Sequence, residues 1–309
     1  MAKFLCICLS STIQRSISFE NLSLEKVNRS KKYRVDASGK AVNSARVLSQ
    51  MQKGCAKLIC PLGKENAQFF INLLKNDFVD LSYIEIPGFT RECWTLMDSL
   101  AGTTTELVVS EPASNLNSQQ ITAQQAEILE KNLLDLIKSG VSDVDAVLLA
   151  GSRPSFWSKN LYSEISKIVM SAGKVFLCDF WAEDLLSVIK TAIPTVIKIN
   201  DEEFCKTFLE NSEQTEDSLK TAICQKSAEL NNIIVVTRGT KDTFAANKGK
   251  FYSCPCQKVK AVNTTACGDS FNSGFLWEFM NSGDFEAALK KGTWAAACNA
   301  QNECPGAIF

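Results

Sequence analysis

The chain has 309 residues, with 33 Lys plus Arg against 34 Asp plus Glu and a formal net charge of −1. A charge this close to zero argues against a nucleic-acid or membrane-surface protein and for a small-molecule ligand. Histidine is absent, which removes Ser-His-Asp and Cys-His catalysis and the usual zinc sites and leaves carboxylate, Lys, Arg and main-chain chemistry.

The length exceeds the soft prior of about 150 residues per domain, but α/β folds reach this size as one unit, and a single domain over 1–309 is expected. Thirteen cysteines, an odd number without a Cys-x-x-Cys pair or a signal peptide, fit a reducing, cytoplasmic compartment where thiols stay free as small core residues. Cys6 and Cys8, and Cys254 and Cys256, do not suit a zinc site, because the chain has no histidine to complete the usual ligand set. Apolar runs such as Val147-Leu148-Leu149-Ala150 fall far short of the roughly 20 residues a membrane helix needs.

In chain order, residues 3–9 form a continuous apolar run, the mark of a buried parallel strand central in a sheet. From 11 to 36, Ile13, Ile17 and Phe19 alternate with polar residues, as in strands with one wet face. A helix opens in 38–48, with Val42, Ala45 and Leu48 on one side. Segments 89–98 and 105–109 read as extended chain around Gly102.

From 121 onward the pattern becomes βαβ. Thr122 and Gln125 can form a capping box, Ile128, Leu129, Leu133, Leu136 and Ile137 follow helical spacing up to Gly140, and Val144 to Ala150 then reads as a strand. Gly151-Ser152-Arg153-Pro154 follows its carboxyl end, where open parallel sheets place ligand loops. Helices near 158–171 and 182–190 alternate with strands at 174–179 and 195–199. Asn200-Asp201-Glu202-Glu203 suits a helix N-cap with an acidic first turn. A further buried strand ends in Val235-Val236-Thr237-Arg238-Gly239, 244–247 and 250–254 read as a hairpin around Asn247-Lys248-Gly249, and a helix near 284–302 closes the chain.

The most informative stretch is Asn263-Thr264-Thr265-Ala266-Cys267-Gly268-Asp269-Ser270-Phe271. Phe271, Phe275 and Phe279 recur at helical steps, so Asp269 sits at a helix N-terminus. Small side chains at Ala266, Cys267 and Gly268 let main-chain N–H groups approach an anion, and the helix dipole adds positive charge there. The result is a phosphate cradle beside a carboxylate, although an ordinary capped helix satisfies the same residues.

This stretch resembles the signature of the ribokinase-like (PfkB) carbohydrate kinases, and within them the 1-phosphofructokinase and tagatose-6-phosphate kinase branch. Four other segments resemble that family in the same order: Ser38-Gly39-Lys40-Ala41-Val42-Asn43, Gly151-Ser152-Arg153-Pro154, Lys198-Ile199-Asn200-Asp201-Glu202-Glu203 and Thr237-Arg238-Gly239. The resemblance implies a three-layer α/β fold with a mainly parallel central sheet flanked by helices. A small β-sheet lid would be built from about 11–36 and 88–110.

It also implies ATP-dependent phosphorylation of a sugar or sugar-phosphate hydroxyl. Asp269 would be the general base, and the amides of Ala266, Cys267 and Gly268 the anion hole. Gln14, Arg29, Gly39, Lys40, Asn43, Arg91 and Ser152 would hold substrate. Lys198, Asn200, Thr237, Gly239 and Asn299 would hold ATP, with Gly306 nearby, while Asn200 and Glu203 would organise Mg²⁺ through water. A homodimer through the lid strands is a further implication.

Three positions depart from the family pattern: Ala266 and Asp242 stand where it has glycine, and Gln14 where the branch has Asp. Two alternatives follow, a kinase-fold sensor of sugar or nucleotide, and a kinase of a nucleoside or vitamin-like alcohol. Convergence of Lys40, Arg29 and Arg91 on one pocket would favour a phosphosugar.

Overall fold

The computed structural model describes residues 1–109, 121–209 and 215–309. The first half runs β1 (Phe4–Ile7), β2 (Thr12–Phe19), β3 (Lys32–Ser38), α1 (Lys40–Met51), β4 (Ala56–Gly63), α2 (Ala67–Leu74), β5 (Asp80–Ile86), β6 (Arg91–Asp98) and β7 (Thr103–Val108). Next come α3 (Ala123–Ser142), β8 (Ala146–Ala150), α4 (Leu161–Ser171), β9 (Val175–Asp179), α5 (Ala182–Thr191), β10 (Val196–Asn200) and α6 (Asp201–Phe208). The chain ends with α7 (Glu216–Leu230), β11 (Ile233–Arg238), β12 (Lys241–Asn247), β13 (Lys250–Cys254), α8 (Cys267–Ser282) and α9 (Phe285–Ala300). Position 110, the outer bound expected for the lid, lies outside the described residues.

The main sheet has nine strands in the order β13-β12-β11-β10-β9-β8-β1-β4-β5. Neighbours from β5 to β11 are parallel, and β12 and β13 add an antiparallel hairpin at one edge. As expected of its apolar run, β1 is wholly buried between two parallel partners.

Alternation along β1 sends Phe4, Cys6 and Cys8 into one core with residues of α1, α2 and α8, and Leu5, Ile7 and Leu9 into another with residues of α3, α4, α5 and α7. Helices on both faces of a parallel sheet make the three-layer α/β architecture. Thiols serve this packing: Cys6, Cys60 and Cys178 are buried and free, behaving as small hydrophobes. Among the described residues no helix is long and apolar enough to cross a membrane.

A separate four-stranded sheet, ordered β3-β2-β6-β7, is built from the two extended regions read in the sequence. The β4–α2–β5 segment and α7 were not anticipated. Pro61 interrupts the strand signature of β4, since proline removes a ladder donor. In α7, buried Leu219, Ile223, Ser227 and Leu230 are outnumbered by charged and polar neighbours.

Arg46 of α1, 4% exposed, joins these parts. Its Nε pairs with Asp77 Oδ2 at 2.7 Å, Nη1 donates to Pro305 O at 2.7 Å, and Nη2 donates to Ala37 O at 2.5 Å. Arg46→Met leaves that carboxylate and those carbonyls without their donor. It should cost about 3 kcal/mol and lower Tm by roughly 4–5 °C in calorimetry.

Candidate active site

The site begins at the carboxyl ends of the parallel strands. Asp179, the last residue of β9, is 1% exposed. Its Oδ1 accepts from Lys40 Nζ at 2.9 Å, and its Oδ2 accepts from Lys198 Nζ at 2.9 Å and Asn272 Nδ2 at 2.7 Å. Burial alone would push this carboxyl up, but the ammonium groups of Lys198 and Lys40 and the Asn272 amide outweigh it and hold Asp179 below the usual carboxylate range. The same pairing raises Lys40 above the ordinary lysine value.

Lys40 opens α1 because Gly39 before it adopts φ +126°, where a Cβ would also lie 2.9 Å from Cys8 Sγ. Three residues on, Asn43 Nδ2 donates to Asp269 Oδ2 at 2.8 Å. The amide points that way because Asn43 Oδ1 accepts from Ser38 Oγ at 2.9 Å and Arg46 Nη1 at 3.3 Å. Asp269 is 6% exposed. Burial pushes its carboxyl up to about 6, against the attraction of Lys40, with Asp179 adding to the rise. A carboxylate of that basicity is suited to accept a proton near neutral pH.

Ala266 caps α8 at φ 67°, ψ 11°. Such a left-handed alanine costs roughly 1–2 kcal/mol and turns the following amides outward. The expected donor trio at 266–268 needs correction, because the Cys267 amide donates to Thr264 O at 3.3 Å. In this turn the amides of Ala266, Gly268 and Asp269 have no acceptor among the described residues. Glycine at 268 also admits Lys198, whose Nζ would lie 2.9 Å from any Cβ there.

Two cavities flank this centre. One of about 580 Å³ is lined by Ser10, Lys40, Arg91, Ser152, Trp181 and Glu203, among others. The other, of about 630 Å³, reaches Thr237, Gly239, Cys267 and Gly268, with Val259, Ala261, Phe271, Ala296, Ala297 and Ala300 as apolar walls. Apolar walls ending at open amides fit a flat heteroaromatic ring carrying an anionic group.

The structure brings together Lys40, Arg91, Ser152 and Glu203 in the first cavity, Thr237, Gly239, Cys267 and Gly268 in the second, and Asn43, Lys198 and Asp269 between them. Other expected residues stand apart. Arg29 is exposed in the loop between β2 and β3 and is not on the cavity shared by Lys40 and Arg91. Gln14 is buried in the small sheet, its Nε2 donating to Thr95 Oγ1 at 2.6 Å. Asn299 is fully buried, donating to Thr265 O at 2.8 Å and accepting from Gly306 N at 2.6 Å, so it braces the 263–271 loop instead of lining the second cavity. Asp242, whose charge would face a bound anion, instead accepts from the Cys256 amide at 3.4 Å and lies off the cavity wall.

Asn200 and Glu203 form a capping box: Glu203 N donates to Asn200 Oδ1 at 2.8 Å, and Asn200 N to Glu203 Oε2 at 2.9 Å. The second Glu203 oxygen is 4.0 Å from Lys40 Nζ. Sequence reading missed Asp179, Asn272 and Trp181. A lone carboxylate ending the apolar run Val175-Phe176-Leu177-Cys178 was the available signal, since ligand loops start at that end of a parallel strand.

A family model described as pfkB family carbohydrate kinase matches residues 3–308. A tagatose-6-phosphate kinase of Staphylococcus epidermidis is 26% identical over 307 residues, covering 98% of this chain and 94% of that protein. The solved structure of phosphofructokinase-2 from Escherichia coli with potassium superposes with a TM-score of 0.83 at 17% identity, covering 99% of this chain and 94% of that one. A possible 1-phosphofructokinase from Thermotoga maritima gives 0.85 at 18%, covering 98% and 93%. Ribokinase of Thermotoga maritima gives 0.72 at 19%, covering 99% and 95%.

Asp179→Asn should leave two ammonium groups around a neutral amide, a buried charge imbalance worth about 3–5 kcal/mol. Urea denaturation at pH 7 should show that loss; a variant as stable as the parent would mean that the lysines do not depend on this carboxylate.

Proposed function

Because the chain belongs to the pfkB family of carbohydrate kinases, we propose that it transfers the terminal phosphoryl group of ATP to a hydroxyl of a sugar or sugar phosphate in the cavity of Lys40 and Arg91. The observation that carries this reading is a buried Asp269 carboxyl with its pKa raised to about 6, beside three open amides at the start of α8. Residues 1–309 act as one kinase unit, with the four-stranded sheet as its lid. Thr265 Oγ1 already donates to Glu106 Oε1 of β7 at 3.4 Å, linking that sheet to the loop before Asp269.

Asp269 takes the proton of the attacking hydroxyl, and Asn43 keeps its carboxylate aimed. The amides of Ala266, Gly268 and Asp269, with the dipole of α8, stabilise the charge on the phosphoryl oxygens. Lys198 stays on Asp179 beside Gly268, adding a fixed positive charge near the same oxygens. Little covalent chemistry is asked of the protein; positioning and electrostatics supply the rate.

Asn200 and Glu203 would hold Mg²⁺ through water beside the nucleotide, where the ion would supply positive charge against the phosphates. Among the described residues no cluster of three or more Cys, Asp or Glu is arranged to hold a metal. The capping box also occupies Asn200 Oδ1 and one Glu203 oxygen, so Asn200 and Glu203 fit a role through water, not direct coordination.

Lys40 and Arg91 on one cavity, together with the named relatives, support a phosphorylated ketohexose as acceptor. The exposed position of Arg29 supports the second reading, an unphosphorylated alcohol such as a nucleoside. Exposed Tyr33 on β3 and Leu107 on β7 suit a homodimer formed through the lid.

A coupled ATPase screen with fructose 1-phosphate, fructose 6-phosphate, tagatose 6-phosphate and unphosphorylated sugars should find turnover with a phosphosugar; turnover confined to unphosphorylated alcohols would transfer support to the second reading. With the best acceptor, Asp269→Asn should lower kcat by about 10³-fold while calorimetric ATP affinity stays within about twofold. Near-normal turnover would refute the base assignment.

In the parent, kcat/KM should fall with one proton below pH about 6. Since that folded-state pKa lies above the ordinary 3.8, the associated stability is full below 3.8 and lost as pH rises through about 6. Asp269→Asn should therefore melt no lower than the parent at pH 8.

A further inference from the structure

Trp181 is 41% exposed on the wall of the cavity that also holds Lys40, Ser152 and Glu203. A tryptophan ordinarily removes a large apolar area from water, and Trp157 nearby is 2% exposed. An indole left open inside a cavity is thus a surface awaiting a ligand.

Its backbone is fixed from both sides. Before it, Phe180 stacks on Tyr162 with centroids 4.2 Å apart and rings at 3°, and Tyr162 donates to Gly151 O at 2.7 Å. After it, Ala182 is held at φ 57° with its amide on Thr207 Oγ1 at 2.9 Å. Arg153 then pins Asp184 at 3.0 Å and donates to Trp157 O at 3.0 Å. Lys206 Nζ lies 5.8 Å from the indole centroid, a cation on the ring system that helps hold it.

We infer that Trp181 is a specificity-determining residue that packs its indole against the carbon face of the acceptor's ring, an inference resting on the acceptor occupying the cavity of Lys40 and Arg91. The negative face of the indole attracts the polarised C–H groups of a sugar ring. The ammonium of Lys40, the hydroxyl of Ser152 and the Glu203 carboxylate meet its hydroxyls and any charged substituent. A wall of this kind selects a cyclic sugar over an acyclic polyol of similar formula, because only the ring offers a flat C–H face. The platform is ordered before binding, so little entropy is lost when the acceptor docks.

Steady-state kinetics with the best acceptor test this. Trp181→Ala should raise the acceptor KM by about tenfold, with kcat within about threefold and the ATP KM unchanged, and Trp181→Phe should stay within about threefold of the parent throughout. Adding acceptor without nucleotide should shift the parent's tryptophan emission but not that of Trp181→Phe. An unchanged acceptor KM in Trp181→Ala, or an equal emission shift in Trp181→Phe, overturns the assignment. If the parent turns over no acceptor but its emission still responds through Trp181 to a sugar, the kinase reading fails while Trp181 stands. If neither turnover nor an emission response is seen with any sugar, both fall.

Discussion

A charged carboxylate can remain fully buried only if cations are buried with it, and Asp179 is the point where this protein meets that requirement. Two lysines and one asparagine converge on its two oxygens. Lys40 comes from the start of α1, Lys198 from β10 and Asn272 from α8, so one side chain at the end of β9 fixes four elements of the fold. The pairing also sets the charge near Asp269, whose carboxyl lies among the same ammonium groups and is raised to about 6 by its own burial. Two carboxylates in one buried region are thereby pushed apart, Asp179 held below the usual carboxylate range and Asp269 raised above it.

The loops at the carboxyl ends of the strands are shaped by close approach. Gly268 leaves room for Lys198, Gly39 leaves room for Cys8, and Ala266 and Ala182 hold left-handed conformations at φ 67° and 57°. Strain of this kind persists only where surrounding structure enforces it. Here it lies at the start of α8, beside the open amides, and at the start of α5, beside Trp181. Ala182 lines the first cavity, Ala266 opens the helix that borders the second, and α8 and α9 support that second cavity by apolar packing of Phe271, Phe275, Leu276, Phe285 and Leu289.

Much of this was legible in the chain. The buried strands announced themselves as apolar runs ending in small residues or turns, and the capping box at Thr122 and the N-cap at Asn200 were written as local spacings. The Gly-Asp stretch announced a helix start with open amides, though only the folded turn shows that the Cys267 amide is taken by Thr264. Where the local signal was mixed, reading failed: Pro61 hid β4, and polar residues hid α7. Arg29 and Asn299 carry the right residue types for their expected roles, but one lies in solvent and the other bonds two stretches of main chain. Residue type does not say which way a side chain faces.

The sequence by itself determined the fold class, the family and the loop that sets Asp269 at the start of α8, because strand and helix periodicities and the loop preceding α8 are properties of neighbouring residues. The tertiary structure alone decided which charges meet. Lys40 reaches Asp179 across 139 positions and Asn43 reaches Asp269 across 226. Those meetings depend on strand order in the sheet and on helices closing over its two faces. No local pattern encodes that order; it is fixed only when the apolar faces of all the layers are buried together.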